Sequence, residues 1–238
     1  EHSVRLRARG SRRYAIHCVS QRRNGIGLKE YLVRCDLLMR DRLPLGIEDG
    51  KGALRQPCFH ADHVAALADF DRARYVYLPH AYDNVRFTRG LGAVRRAYLP
   101  SLIPSDFDSR ATPVDMSHPI SLPPEYAPFT QGYDLLGDES ILAVELPGHA
   151  HGQMGLFVRD AHQTYFFVAD AAWQGRSIRE NCPPHPIANL LFPDPKAYRE
   201  TLGALHSFHQ LHPDVKVIPS HCEETIKSLQ NPEEVQRL

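Results

Sequence analysis

Cys58-Phe59-His60-Ala61-Asp62-His63 is the stretch on which the reading of this chain turns. Its last four residues hold two imidazoles and a carboxylate, ligand types that suit zinc and similar divalent ions. On a tight loop entering a helix at Val64, the three side chains cannot all point at one ion, but they can serve two neighbouring ions. Downstream stand Pro147-Gly148-His149, Ala169-Asp170-Ala171 and Pro219-Ser220-His221. Each closes a short apolar run, Ile141–Leu146, Tyr165–Ala169 and Val215–Ile218, which reads as a strand. A lone His-x-Asp-His is a moderate signal. Strand followed by ligand, repeated in this order, is a strong one, because loops at strand ends of a rigid scaffold are where functional side chains sit.

Working outward, His63–Phe70 has helical apolar spacing and Ala73–Leu78 reads as a buried strand. Ala81–Leu99 is expected to be helical, interrupted near Gly90 and Gly92. Seven prolines between Pro100 and Pro128 exclude a continuous helix or a central strand there and predict a long excursion over the surface. Gly155–Val158 reads as another strand and Asp194–Leu211 as a helix. His206, His209 and His212, spaced by three, are expected on a solvated helix face, and Cys222, next to His221, in a structural role.

Before the hexapeptide the chain is harder to read. Arg5, Arg7, Arg9, Arg12 and Arg13 stud its start, Tyr14–Val19 looks like a short strand, and Lys29–Arg42 has loosely helical spacing. The preceding Arg55-Gln56-Pro57 lacks the apolar strand expected to deliver a ligand loop. Residues 1–57 hold 13 basic and 6 acidic side chains, leaving 15 and 22 for residues 58–238, so the charge balance reverses at the motif. We treat 1–57 as a basic segment of the first sheet and 58–238 as the metal-binding part of a single domain.

With 28 basic and 28 acidic residues overall, no net charge argues for nucleic acid or a membrane surface as partner. No apolar run approaches the roughly 20 residues of a membrane span. The N-terminus lacks the apolar stretch of a secretory signal. Five scattered cysteines without a Cys-x-x-Cys pair read as reduced thiols, which places the chain in the cytoplasm.

From about Cys58 to Glu224 the chain resembles the metallo-β-lactamase superfamily, and within it the bacterial branch of the acyl-homoserine-lactone lactonases. The shared phrases are FHADHVAAL, YDLLGDESILAVELPGHAHGQMGLFV, FFVADAAW and VIPSHCEE. The resemblance implies an α/β fold, an αββα sandwich of two mixed sheets flanked by helices, with the metal site at one edge. It implies two zinc ions. His60 and His149 would bind the first with whatever stands at 58. Asp62, His63 and His221 would bind the second, and Asp170 would bridge the two. It makes Asp62, His149 and Asp170 catalytic, Asp62 as the general base. A metal-bound hydroxide would attack a lactone or other ester-like carbonyl of a small-molecule substrate; a homodimer is left open.

Two positions depart from the family pattern. Cys58 stands where a histidine is usual, and both thiolate ligation and a buried inert thiol remain open. Trp173 stands where the lactonases carry a tyrosine phenol; it can stack or donate through its indole N–H and is assigned, with His151, to substrate binding. The rival reading is a degenerate relative with one metal or none, acting as a binding or structural protein.

Overall fold

The computed structural model describes residues 3–7, 13–18, 37–38, 53–159 and 163–225. Most of the helical spacing read over Lys29–Arg42 lies outside the described residues.

Strands β1 (Ser3–Arg7), β2 (Arg13–Cys18) and β3 (Leu37–Leu38) form an antiparallel sheet, so the strand expected at Tyr14–Val19 is present one residue earlier. A second sheet is parallel: β4 (Ala53–Arg55), β5 (Arg74–Tyr77) and β6 (Ala111–Pro113), with β5 in the centre. The third sheet is mixed and has six strands. Its members are β7 (Ile120–Ser121), β8 (Gln131–Asp134), β9 (Ile141–Glu145), β10 (Met154–Arg159), β11 (Thr164–Ala169) and β12 (Lys216–Pro219). Neighbours run antiparallel from β7 to β11, and β12 lies parallel to β11 at the edge.

Alternation along the central strands explains the layering. Ile141, Ala143, Leu156 and Val158 turn one way and share a core with Leu54, Tyr75 and Tyr77 of the parallel sheet. Leu142, Val144, Phe157 and Phe166 turn the other way and pack on Leu202, Leu205 and Phe208. Those three belong to α6 (Pro195–Leu211), whose Asp194 cap accepts from the Lys196 and Ala197 N–H groups at 3.0 and 2.9 Å. A strand buried on both faces reads as a continuous apolar run, as Ile141–Val144 does. The architecture is therefore mixed α/β, sheet against sheet with helix outside.

Several sequence expectations need correction. A strand does precede the hexapeptide. Leu54 and Arg55 are buried in β4 because pairing with β5, and the Arg55 Nη1 bond to the Ala53 carbonyl at 2.8 Å, compensate for a weakly apolar sequence. The interruption expected near Gly90 within Ala81–Leu99 is present, but the helical part is shorter than the spacing implied. Two short helices, α2 (Pro79–Asp83) and α3 (Gly90–Val94), occupy 79–94, parted by a segment that ends in extended Arg89 and Gly90 at φ +53°. The proline-rich excursion is pinned by buried Phe107, Val114 and Tyr126, and its Pro113 ends β6, an edge strand among the described residues. Nor do His206 and His212 face water freely. His206 Nδ1 lies 2.8 Å from the Ile178 carbonyl and His212 Nε2 2.9 Å from that of Ala127, tying α6 to adjacent segments.

Candidate metal centre

The hexapeptide leaves β4 as a loop and enters α1 (Ala61–Val64). Three devices hold it. Phe59 is buried among Tyr77, Tyr82 and Phe107, with ring centroids 4.9–5.7 Å apart, so alternation turns His60 to the other side. The Pro57 carbonyl accepts from the Met154 N–H at 2.9 Å, joining the loop to β10. Buried Gln56 donates Nε2 to the carbonyls of Cys58 at 2.5 Å and His63 at 2.9 Å, closing the loop onto the helix. Sequence reasoning missed the role of Gln56; an amide beside a ligand motif carries no distinctive signal.

The other ligand loops are equally constrained. Gly148 adopts φ +122°, and a Cβ there would meet the Tyr198 backbone nitrogen at 2.1 Å, so His149 is presented by a loop that runs against the first turn of α6. Thr201 Oγ1 donates to the Pro147 carbonyl at 2.7 Å in the same place. Asp170 follows a register irregularity in β11 and Ala169 in the left-handed region at φ +48°, a strained step of the kind found where a side chain must be aimed. His221 comes two residues after β12 ends.

These loops bring His60, Asp62, His63, His149, Asp170 and His221 into two groups that share one carboxylate. Asp62, His63, Asp170 and His221 form one, and His60, His149 and Asp170 the other, with candidate ligand atoms in each within 4.8 Å of one another. Asp170 is the hub. His63 Nε2 lies 3.0 Å and His149 Nε2 3.3 Å from Oδ2, and His221 Nε2 lies 3.2 Å from Oδ1. On the open side, Asp62 Oδ2 is 3.5 Å from His221 Nε2 and 3.9 Å from His63 Nε2. The Asp62 and His221 side chains are 24% and 32% exposed, against 4% for Asp170, so solvent reaches the cluster from that edge.

The electrostatics differ between the two groups. Burial lowers the His60 pKa to about 4, aided by the neighbouring His149 and His63 imidazoles. Burial also works against His63, but the Asp170 and Asp62 carboxylates outweigh it and raise its pKa to about 9. Burial opposes ionisation of Asp170; His63, His149 and His221 overcome this and hold its carboxyl well below the usual range. Asp62 is lowered in the same way, burial being outweighed by His63 and His221.

The donor set fits a cation. Asp170 Oδ1 is buried and makes no well-formed hydrogen bond among the described residues, although His221 approaches it. His149 Nε2 lies 3.0 Å from His60 Nδ1 as well as 3.3 Å from Asp170 Oδ2. A single N–H cannot point along both lines, whereas a cation takes lone pairs from both rings and the carboxylate at once.

Cys58 is fully buried and is not a member of either group among the described residues. Trp173 stands edge-on to the His149 ring at 6.1 Å, and Phe192 does so at 5.4 Å. A cleft of about 240 Å³ opens beside His60, lined also by buried Phe192 and by exposed His151, Arg95 and Arg96. The arginines and Phe192 were not anticipated, since nothing in their local sequence marks them. Cys222 takes the structural role expected, its Sγ accepting from Gly175 N–H at 3.2 Å and Thr225 Oγ1 at 3.1 Å.

The sequence profile of the metallo-beta-lactamase superfamily matches residues 59–221. The chain belongs to that superfamily. The His/Asp cluster at its strand ends is able to hold metal. A probable metal-dependent hydrolase from Staphylococcus aureus is similar in structure at 10% identity and a TM-score of 0.56, covering 92% of this chain and 79% of its own. A Bacillus thuringiensis AiiA variant with N-decanoyl-L-homoserine at its active site matches at 14% identity and a TM-score of 0.52, covering 73% and 57%. AidC, a dizinc quorum-quenching lactonase in complex with N-hexanoyl-L-homoserine, matches at 14% identity and a TM-score of 0.51, covering 72% and 57%. The chain thus spans little more than half the length of these last two. No curated protein sequence matches it. Among the described residues, no helix is long and apolar enough to cross a membrane.

Proposed function

We propose that the protein is a dinuclear zinc hydrolase acting on a lactone or other ester-like carbonyl of a small molecule. The observation that carries this reading is the convergence of His63, His149 and His221 on Asp170, with no closer approach than 3.0 Å and a buried carboxylate oxygen, Oδ1, that makes no well-formed hydrogen bond among the described residues although His221 Nε2 lies 3.2 Å from it. His60, His149 and Asp170 would hold one ion, and Asp62, His63, His221 and Asp170 the other. Zinc bound there supplies a Lewis acid for the carbonyl oxygen and lowers the pKa of water towards 7.

The chain's own groups do the rest. The first group offers three protein ligands, the number that leaves a position open in catalytic zinc sites, so the absence of Cys58 from it is compatible with chemistry. Asp62, at the solvent edge and ionised, is placed to hold a water through one oxygen and receive its proton. Trp173 and Phe192 flank His149 and exclude water from that side. His151 and Trp173 would contact the substrate.

Metal analysis of protein purified without added zinc, together with a panel of lactones, aryl esters, thioesters and phosphotriesters, tests the reading. Near two equivalents per chain with carbonyl-ester turnover supports it. Less than half an equivalent and no turnover would instead establish the degenerate relative, with the fold kept for binding.

A further inference from the structure

The cleft beside His60 has a charge that ester hydrolysis alone does not require. Arg95 and Arg96, directly after α3, line it together with Leu190, Leu191 and Phe192, and among the described residues no carboxylate lines it. Some arginines elsewhere on this surface pair with acids, while others, such as Arg89, bond only backbone carbonyls. Arg86 meets Asp83 at 3.1 Å, Arg110 meets Asp106 at 2.7 Å and Arg179 meets Glu224 at 3.0 Å. Neither Arg95 nor Arg96 has an acidic partner among the described residues; Arg96 Nη1 donates only to the Gly92 carbonyl at 3.2 Å. Two guanidinium groups kept clear of acids, at the mouth of a cleft that begins at a candidate ligand, are an arrangement suited to a carboxylate. Leu190 and Leu191 lie 84% and 69% exposed on the same cleft, apolar surface for the chain that joins such a carboxylate to the reacting group. A volume of about 240 Å³ has room for a small molecule.

Resting on the hydrolase reading above, we propose that the substrate is an ester or lactone bearing a carboxylate, and that Arg95 and Arg96 determine this specificity. The carboxylate binds the two guanidinium groups while the ester carbonyl reaches the cluster through His60. The bond broken is the acyl C–O bond; water supplies the new C–O bond, one proton goes to the leaving alkoxide, and the acid product gives up the other.

The test uses two aryl esters with the same reacting carbonyl, the 4-nitrophenyl monoester of adipic acid and its neutral 4-nitrophenyl methyl diester. The wild type should favour the acid, and the double variant Arg95→Gln/Arg96→Gln should raise its KM about tenfold with kcat kept, the loss expected for a charge-assisted hydrogen-bonding site. The diester should be unaffected. Equal use of both esters by the wild type, or a parallel shift for both in the variant, would overturn the assignment. Calorimetric binding of adipic acid monoamide, which is not turned over, separates this proposal from the hydrolase reading. If neither ester is cleaved, binding weakened about tenfold in the double variant still supports the cleft, and binding that is absent or indifferent to the arginines overturns it.

Discussion

His60, at the cap of α1, and His63, three residues on within that helix, belong to opposite electrostatic regimes. His60 sits in a group where burial and neighbouring imidazoles lower its pKa to about 4. His63 sits where two carboxylates raise it to about 9 despite complete burial. The first group presents an uncharged ring ready to give its lone pair, and the second presents a ring that holds a proton against its carboxylates until a cation replaces it. Residue type and spacing do not set this difference; it comes from which strand-end loops arrive beside each ring.

The hardest blow to the comparison is Asp170→Ala, which removes the carboxylate common to both groups. Binuclear binding should be abolished, and retention of two metals by elemental analysis would sink the assignment. His60→Ala and His221→Ala sharpen it, because each should remove one equivalent while the other group keeps its metal. Loss of both equivalents in either variant would show that the groups do not bind separately. Gln56→Ala removes the amide from which the buried carbonyls of Cys58 and His63 accept, and should cost about 2 kcal/mol in denaturant unfolding. Zinc affinity should fall roughly tenfold with it, as for outer-shell supports generally.

Acidity probes the two regimes directly in the metal-free protein. His63 has a folded pKa above its ordinary 6.5, so its stabilisation is complete below 6.5 and is lost as pH rises through about 9. His60 has a folded pKa below 6.5, so stability present above 6.5 is lost as pH falls towards about 4. Thermal midpoints of chelated protein should therefore peak near pH 6.5 and decline on both sides, and zinc should flatten the alkaline decline. A midpoint still rising between pH 7 and 9 would contradict the His63 arrangement. The smallest effect expected is from Cys58→Ala: a loss of about 1 kcal/mol from a buried site, with metal content unchanged. Metal lost with the thiol would return Cys58 to the first group.

The parts of the fold that could be read in the sequence were those where one residue's environment follows from its neighbours in the chain. Ile141–Val144 is apolar throughout because both faces of its strand are covered, and Asp194 announces α6 by capping it. The ligand residues were legible because they end such runs. β4 was not, since its stability comes from pairing with β5 and not from its own side chains. Gln56 and Arg95 were invisible for a related reason: the carbonyls one holds and the cleft the other lines are assembled from segments distant in sequence.

Ala169 carries a consequence for anyone engineering this chain. At φ +48° it occupies a backbone state that glycine would adopt with less strain, one residue ahead of the carboxylate on which both groups depend. Selection for thermal stability alone would favour glycine there, and would at the same moment widen the arc through which Asp170 can swing. Robustness and aim are opposed at that one position, so a library built to harden the scaffold should hold residue 169 fixed.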